Sequence, residues 1–167
     1  MLEQKRIAEA EQNYRRYLAE EHLFTNHKTI AQYTQFFLKN AETSLLTAKT
    51  LFELSTVKEK QNALGLNNFE SYLWVVVSSY YSMFYAALAL LAKHNMKVGD
   101  YHAHKVVADT LIAQFLKNKK LAKLIESYEE NKEAALELVG TEDKAHGLIE
   151  SFEQERKKRR AWCGRKA

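Results

Sequence analysis

Seven of the last twelve residues, RKKRRAWCGRKA, are basic and none is acidic. Five of them, Arg156, Lys157, Lys158, Arg159 and Arg160, are consecutive, a density of cations suited to holding phosphates by displacing their counterions. Trp162 adds a ring that can stack on a base. The plain alternative for such a run is a solvated terminus. A second candidate lies at His104 and Lys105, which open a predicted helix whose free backbone N–H groups favour an anion. His102 and His104 are two residues apart, about 200° round a helix, so they do not converge on one ion. Asp109 is the one acid at a workable spacing, and no metal site or cofactor is expected. Tyr80 and Tyr81 sit in an apolar run and are read as core, interface or groove residues.

These side chains need helices to position them. Ile7, Ala10, Tyr14 and Tyr17 recur at helical spacing and predict a first helix over about Glu3 to Glu21, broken by the polar stretch from His22 to Lys28. Thr29 is expected to cap a second helix ending near Ser55, with Ile30, Tyr33, Phe37, Ala41, Leu45, Ala48 and Phe52 on its inner face. Thr56 to Asn68 reads as a loop. The next helix begins at Phe69 or Glu70 and is apolar nearly all round, as a central bundle helix should be; Ser78, Ser79, Ser82, Ala86 and Ala87 allow neighbours to come close. Trp74, Tyr14, Tyr33 and Tyr128 are read as packing residues. After an exit turn from Lys93 to Gly99, Asp100 is expected to cap a fourth helix using Val106, Val107, Thr110, Leu111 and Phe115. Leu121, Leu124, Ile125, Tyr128 and Leu136 predict a fifth, stopped by Gly140, and Thr141 caps a sixth with Ala145, Leu148, Ile149 and Phe152 inward.

Composition narrows the class. A chain of 167 residues with no proline and five glycines is poor in turn formers and favours an all-α domain. One cysteine, Cys163, excludes an internal disulfide and a cysteine-based zinc site. The start, MLEQKRIAEAEQ, lacks the apolar run of a signal peptide. Tyr72 to Ala92 carries no charge and is long enough to test as a membrane span. Three serines and four tyrosines interrupt it, so a buried helix, no membrane and a cytoplasmic protein are expected. Up to Glu155 there are 18 basic and 21 acidic residues, a mildly acidic body ahead of the basic tail.

Three segments together resemble the HEPN superfamily, particularly its small prokaryotic and archaeal members. They are FLKNAETSLLTAKTLFELS at Phe37 to Ser55, SYLWVVVSSYYSMFYAALALLAKHNMKVGDYHAHKV at Ser71 to Val106, and LIESFEQERKKRR at Leu148 to Arg160. The pairing of Tyr80-Tyr81-Ser82-Met83-Phe84 with the helix start at His102 and His104 is the most specific part. The resemblance implies an antiparallel up-and-down helical bundle, usually a homodimer. It also implies RNA or nucleotide binding or RNA cleavage, often as the toxin of a toxin–antitoxin pair with a minimal nucleotidyltransferase. On this reading residues 1–28 are an N-terminal helical extension, 29–155 the bundle and 156–167 the basic tail, with the last family helix missing.

The departure from the family concerns catalysis. HEPN ribonucleases resemble one another in an Arg followed after four to six residues by His, near the start of the last helix. Arg156, Arg159 and Arg160 reach that region here, and no histidine follows them. His would move the proton of a 2′-hydroxyl while Arg clamps the phosphate, so the clamp alone remains. Arg15 or Arg16 with His22 fits the spacing, but roughly 0.75 such matches arise by chance in this composition. The expected function is RNA or nucleotide binding, at most with weak metal-independent endoribonuclease activity. The alternative is a non-catalytic dimeric interaction module that partners a minimal nucleotidyltransferase.

Overall fold

The structure, a computed structural model, describes residues 2–139. The predicted helix from Thr141, its stop at Gly140 and the basic tail from Arg156 to Arg160 lie outside them. The described residues form an all-α fold: α1 (Gln4–Ala19), α2 (Thr34–Thr56), α3 (Lys58–Ala63), α4 (Tyr72–Lys93), α5 (Ala103–Phe115) and α6 (Lys119–Val139). A 3-10 turn, Ile30–Tyr33, precedes α2, and two short strands, β1 (Leu23–Phe24) and β2 (Lys97–Val98), pair antiparallel. Two-residue strands are too short to leave a periodic signal, so the stretches around them read as a break and a turn.

Helix α2 packs antiparallel along α4. Near one end the Ser71 amide donates to Ser55 Oγ at 2.9 Å, and near the other Ser82 Oγ donates to the Ala41 carbonyl at 2.8 Å. A side-chain bond to a neighbouring helix's backbone needs the close approach that small residues permit, and Ala41, Ala48 and Ser55 are the buried residues of α2. Three expectations for this region are corrected. Tyr33, Leu45 and Phe52 are exposed, because the inner seam of α2 runs at heptad spacing through 41, 48 and 55 and the wider apolar face extends past it. Thr29 makes no capping bond; its backbone is already helical, and the 3-10 turn starts the segment. Residues 56–68 are not all loop. Helix α3 forms there, and the buried Gln61 amide donates to the carbonyls of Leu54 (2.6 Å) and Phe69 (3.0 Å), which ties α3 to the end of α2 and the entry to α4.

Helix α5, rather than α4, is the most enclosed. All residues from Val106 to Ile112 are buried, and α1, α4, α5 and α6 contribute Ala10, Phe84, Leu91, Val107, Leu111, Ile125 and Tyr128 to the main core. Helix α4 joins that core from Tyr81 onward, while Tyr72, Leu73 and Trp74 in its first turn are exposed. Trp74, read as a half-buried packing residue, is 46% exposed. By length and composition alone α4 could cross a membrane; its second half is the part buried in this fold. Leu124 of α6 is also exposed.

Local backbone chemistry turns the chain between these helices. After α1, Glu21 takes a left-handed conformation (φ 56°) and the His22 amide reaches back to the Tyr17 carbonyl at 2.9 Å. After α4, Asn95 (φ 58°) and the Met96-to-Leu91 bond at 2.9 Å repeat the device, and after α3 Gly65 (φ 69°) serves the same turn. Gly99 donates to the His22 carbonyl at 2.8 Å, and a Cβ there would lie 3.2 Å from that oxygen, so a small residue lets the β2 exit close against the end of α1. Asp100 does not cap α5. His102 occupies that position with φ 45° and makes no side-chain cap.

Candidate functional site

The tyrosine pair and His104, far apart in sequence, meet in space. Tyr80, Tyr81 and Phe84 lie within about one turn of α4 and face the first turn of α5. The Tyr80 hydroxyl and His104 Nδ1 share a hydrogen bond of 2.9 Å. Phe84 stacks on the imidazole with ring centroids 4.0 Å apart, Tyr80 stacks at 5.4 Å, and Tyr81 meets it edge-on at 5.8 Å. Tyr128 enters from α6. Burial first, then the neighbouring Tyr80 phenol, raises its pKa well above the ordinary value and keeps it neutral. A phenol–imidazole pair can hold or pass a proton, but Phe84 and Tyr80 cover this imidazole and its Nε2 is shielded from solvent. The arrangement joins α4, α5 and α6 through aromatic packing and a directed polar bond.

Lys105 points the other way. It is exposed and lies 3.8 Å from Glu9 of α1. His102 is exposed beside Tyr101, whose ring also packs at 4.9 Å on His22. Thus His104 and Lys105, adjacent in sequence, face an aromatic enclosure and water respectively. Arg16 Nη2 donates to Asn13 Oδ1 at 3.1 Å, and His22 lies 3.4 Å from Glu20, so each is engaged locally. Among the described residues no group of three or more potential ligands is placed to hold a metal ion.

A second polar cluster had no sequence motif. Asp109 of α5 is fully buried and accepts three bonds: from Arg6 Nη1 at 2.6 Å, Asn13 Nδ2 at 2.9 Å and the Tyr17 hydroxyl at 2.9 Å. Arg6 also reaches Glu129 of α6, with Nη2 to Oε1 at 3.2 Å and Nε to Oε2 at 3.4 Å. Residues 6, 13 and 17 share one face of α1 by their spacing of seven and four. Burial opposes the charge on Arg6, but Glu129 and Asp109 outweigh it and raise its pKa. Burial and then the Asp109 charge raise the Tyr17 phenol, so it remains a donor. Every ionic partner here is satisfied within the protein, so the chemistry is that of a lock on α1. The available sequence signal was one acid inside the apolar run Val106 to Ile112. Its partners lie about a hundred residues away, beyond any local pattern.

Comparison with protein families, curated proteins and solved structures finds no match for this chain.

Proposed function

We propose that this protein is a HEPN-like, non-catalytic interaction module that self-associates in the cytoplasm and docks a minimal nucleotidyltransferase-type partner, as in toxin–antitoxin pairs. One observation supports this reading most. The antiparallel pair of α2 and α4 leaves Phe36, Leu45, Leu46, Phe52, Leu73 and Trp74 exposed. Leu45 and Phe52 share one face of α2, and apolar side chains grouped on a surface in this way mark a contact with another macromolecule. The polar side chains support the same reading from the opposite side. Arg6 is committed to Asp109 and Glu129, and His104 is enclosed by Tyr80 and Phe84, which leaves neither poised for acid–base work on a substrate. Light scattering at micromolar concentration tests the module directly. A dimer, or a stoichiometric complex with a purified nucleotidyltransferase partner, is expected; a monomer that forms no such complex overturns the reading.

A second reading rests on the charge distribution. The tail residues Arg156, Lys157, Lys158, Arg159 and Arg160 would bind RNA or nucleotide phosphates, with the exposed Lys105 as a subsidiary phosphate contact. Cleavage would be weak and metal-independent at most. Replacing Arg156, Arg159 and Arg160 by alanine should weaken RNA binding and flatten its dependence on salt by roughly 0.7 log units per lost phosphate contact. An unchanged affinity removes this reading. Changing His22 to alanine should leave any residual cleavage intact; loss of a robust ribonuclease activity would make the N-terminal Arg–His pair the site.

A further inference from the structure

The apolar excess on α2 has a pattern. Leu38, Leu45 and Phe52 are seven residues apart and expose 39%, 44% and 51% of their surfaces. They precede the buried seam residues Ala41, Ala48 and Ser55 by three positions each, which sets them about 60° away round the helix. Helix α2 therefore carries two parallel heptad seams, one filled by α4 and one open. A further row flanks the open seam on the side away from α4: Gln35, Glu42, Lys49 and Thr56, again at intervals of seven and all exposed. Glu42 and Lys49 are two turns apart on their own helix, about 10 Å along the axis, too far to pair with each other.

We propose that the open seam is filled by α2 of a second copy, antiparallel and related by a two-fold axis through Leu45. The inference rests on the interaction-module reading above and names its contact. Leu45 would meet Leu45 of the second copy, and Leu38 would meet Phe52. An isologous interface must be self-complementary, each residue facing the partner of its own partner. The flanking row satisfies that condition. A two-fold perpendicular to both helices keeps the outer flank of one against the outer flank of the other. Counted from Leu45, Glu42 lies three residues back and Lys49 four forward, so Glu42 comes level with Lys49 of the second copy to within one residue, about 1.5 Å. Both cross-pairs are then opposite in charge, and Gln35 meets Thr56 as a neutral pair. A parallel pair would turn Glu42 toward the flank that α4 already occupies. Knobs-into-holes packing at heptad spacing with charged flanks is the ordinary chemistry of paired helices.

The test uses the full chain with Cys163→Ser to remove the native thiol. In that background Leu45→Cys should form a disulfide-linked dimer under mild oxidation, while Thr43→Cys, about 160° round α2 from Leu45, should not. Separately, Glu42→Lys and Lys49→Glu should each weaken dimerisation on the order of tenfold, since each variant sets two like-charged pairs across the axis. The double variant restores both pairs and should return the dissociation constant to within about twofold of the parent. Sedimentation of the parent as a monomer at 100 μM would overturn self-pairing, and the nucleotidyltransferase-docking arm of the wider reading would still stand on its own measurement. A dimer that neither cross-links through Leu45→Cys nor recovers in the double variant would overturn the antiparallel α2 contact while leaving self-association intact.

Discussion

Along α1 and α5 the buried contacts include full charges, whereas along α2 and α4 apolar side chains remain half in water. In the first pair, Asp109 sits at 0% exposure under donors from Arg6, Asn13 and Tyr17, and Glu129 closes the set from α6. In the second, the buried residues of α2 are two alanines and a serine, while Leu38, Leu45 and Phe52 stay exposed. Burying charge is costly, and the return is geometric: three directed bonds to one carboxylate admit a single register of α1 on α5. Alanines and serines specify closeness rather than register, and they leave the larger apolar side chains for another surface. One region is therefore closed upon itself, and the other keeps apolar side chains in contact with water.

The largest effect should come from breaking the closed region. Asp109→Ala leaves the buried Asn13 amide and Tyr17 hydroxyl without their acceptor and takes one of two carboxylates from Arg6, which keeps Glu129; it should cost about 2–4 kcal/mol in urea unfolding. A loss below about 1 kcal/mol would mean water reaches the cluster and that it is no lock. Next in size is Ala41→Leu on the inner seam of α2. It forces apart the approach that lets Ser82 reach the Ala41 carbonyl, and should cost about 1–3 kcal/mol by overpacking.

Tyr17→Phe removes one of the three bonds to Asp109 and should cost about 1–2 kcal/mol near neutral pH. It also sharpens the comparison through pH. The folded Tyr17 and Tyr128 phenols titrate above their ordinary value of 10.0, from burial first and then the Asp109 charge for Tyr17 and the Tyr80 phenol for Tyr128. The unfolded phenols lose their protons first, so this stabilisation is whole below about pH 10 and falls as pH rises toward the folded values. Thermal midpoints of the parent should drop above pH 10, and Tyr17→Phe should make the drop shallower. A parallel pair of curves would separate Tyr17 from the alkaline loss.

How much of this was legible in sequence follows the range of the interactions. Ile7, Ala10, Tyr14 and Tyr17 placed α1 to within a residue or two, because a helix is a local pattern. The small residues of α4 foretold close packing, and Ser82 on Ala41 is that packing. The resemblance pairs the tyrosine run with the histidine helix, and in the fold Tyr80 and Phe84 enclose His104, a contact that no local pattern announces. Helix α3 was missed because its six residues are held by Gln61 bonding to carbonyls outside the helix. The Asp109 cluster was missed because its meaning depends on Arg6 and Asn13, 103 and 96 residues away. Leu45 and Phe52 were assigned to the inner face with Ala41 and Ala48, since periodicity reports that a face is apolar without saying whether one neighbour or two will cover it.

The smallest effect on the fold should be the largest on assembly. Leu45→Lys places a charge in the open seam of α2, where the parent side chain is already 44% exposed, so the isolated chain should lose no more than about 0.5 kcal/mol and keep its helical circular dichroism. The sedimentation coefficient of this variant at micromolar concentration, set beside that of the parent, is the most direct measurement. A dimeric parent and a monomeric, fully helical Leu45→Lys are expected. A variant that stays dimeric with an unchanged coefficient, or one that unfolds, would contradict a molecule with one face locked by charge and the other left open for a second copy.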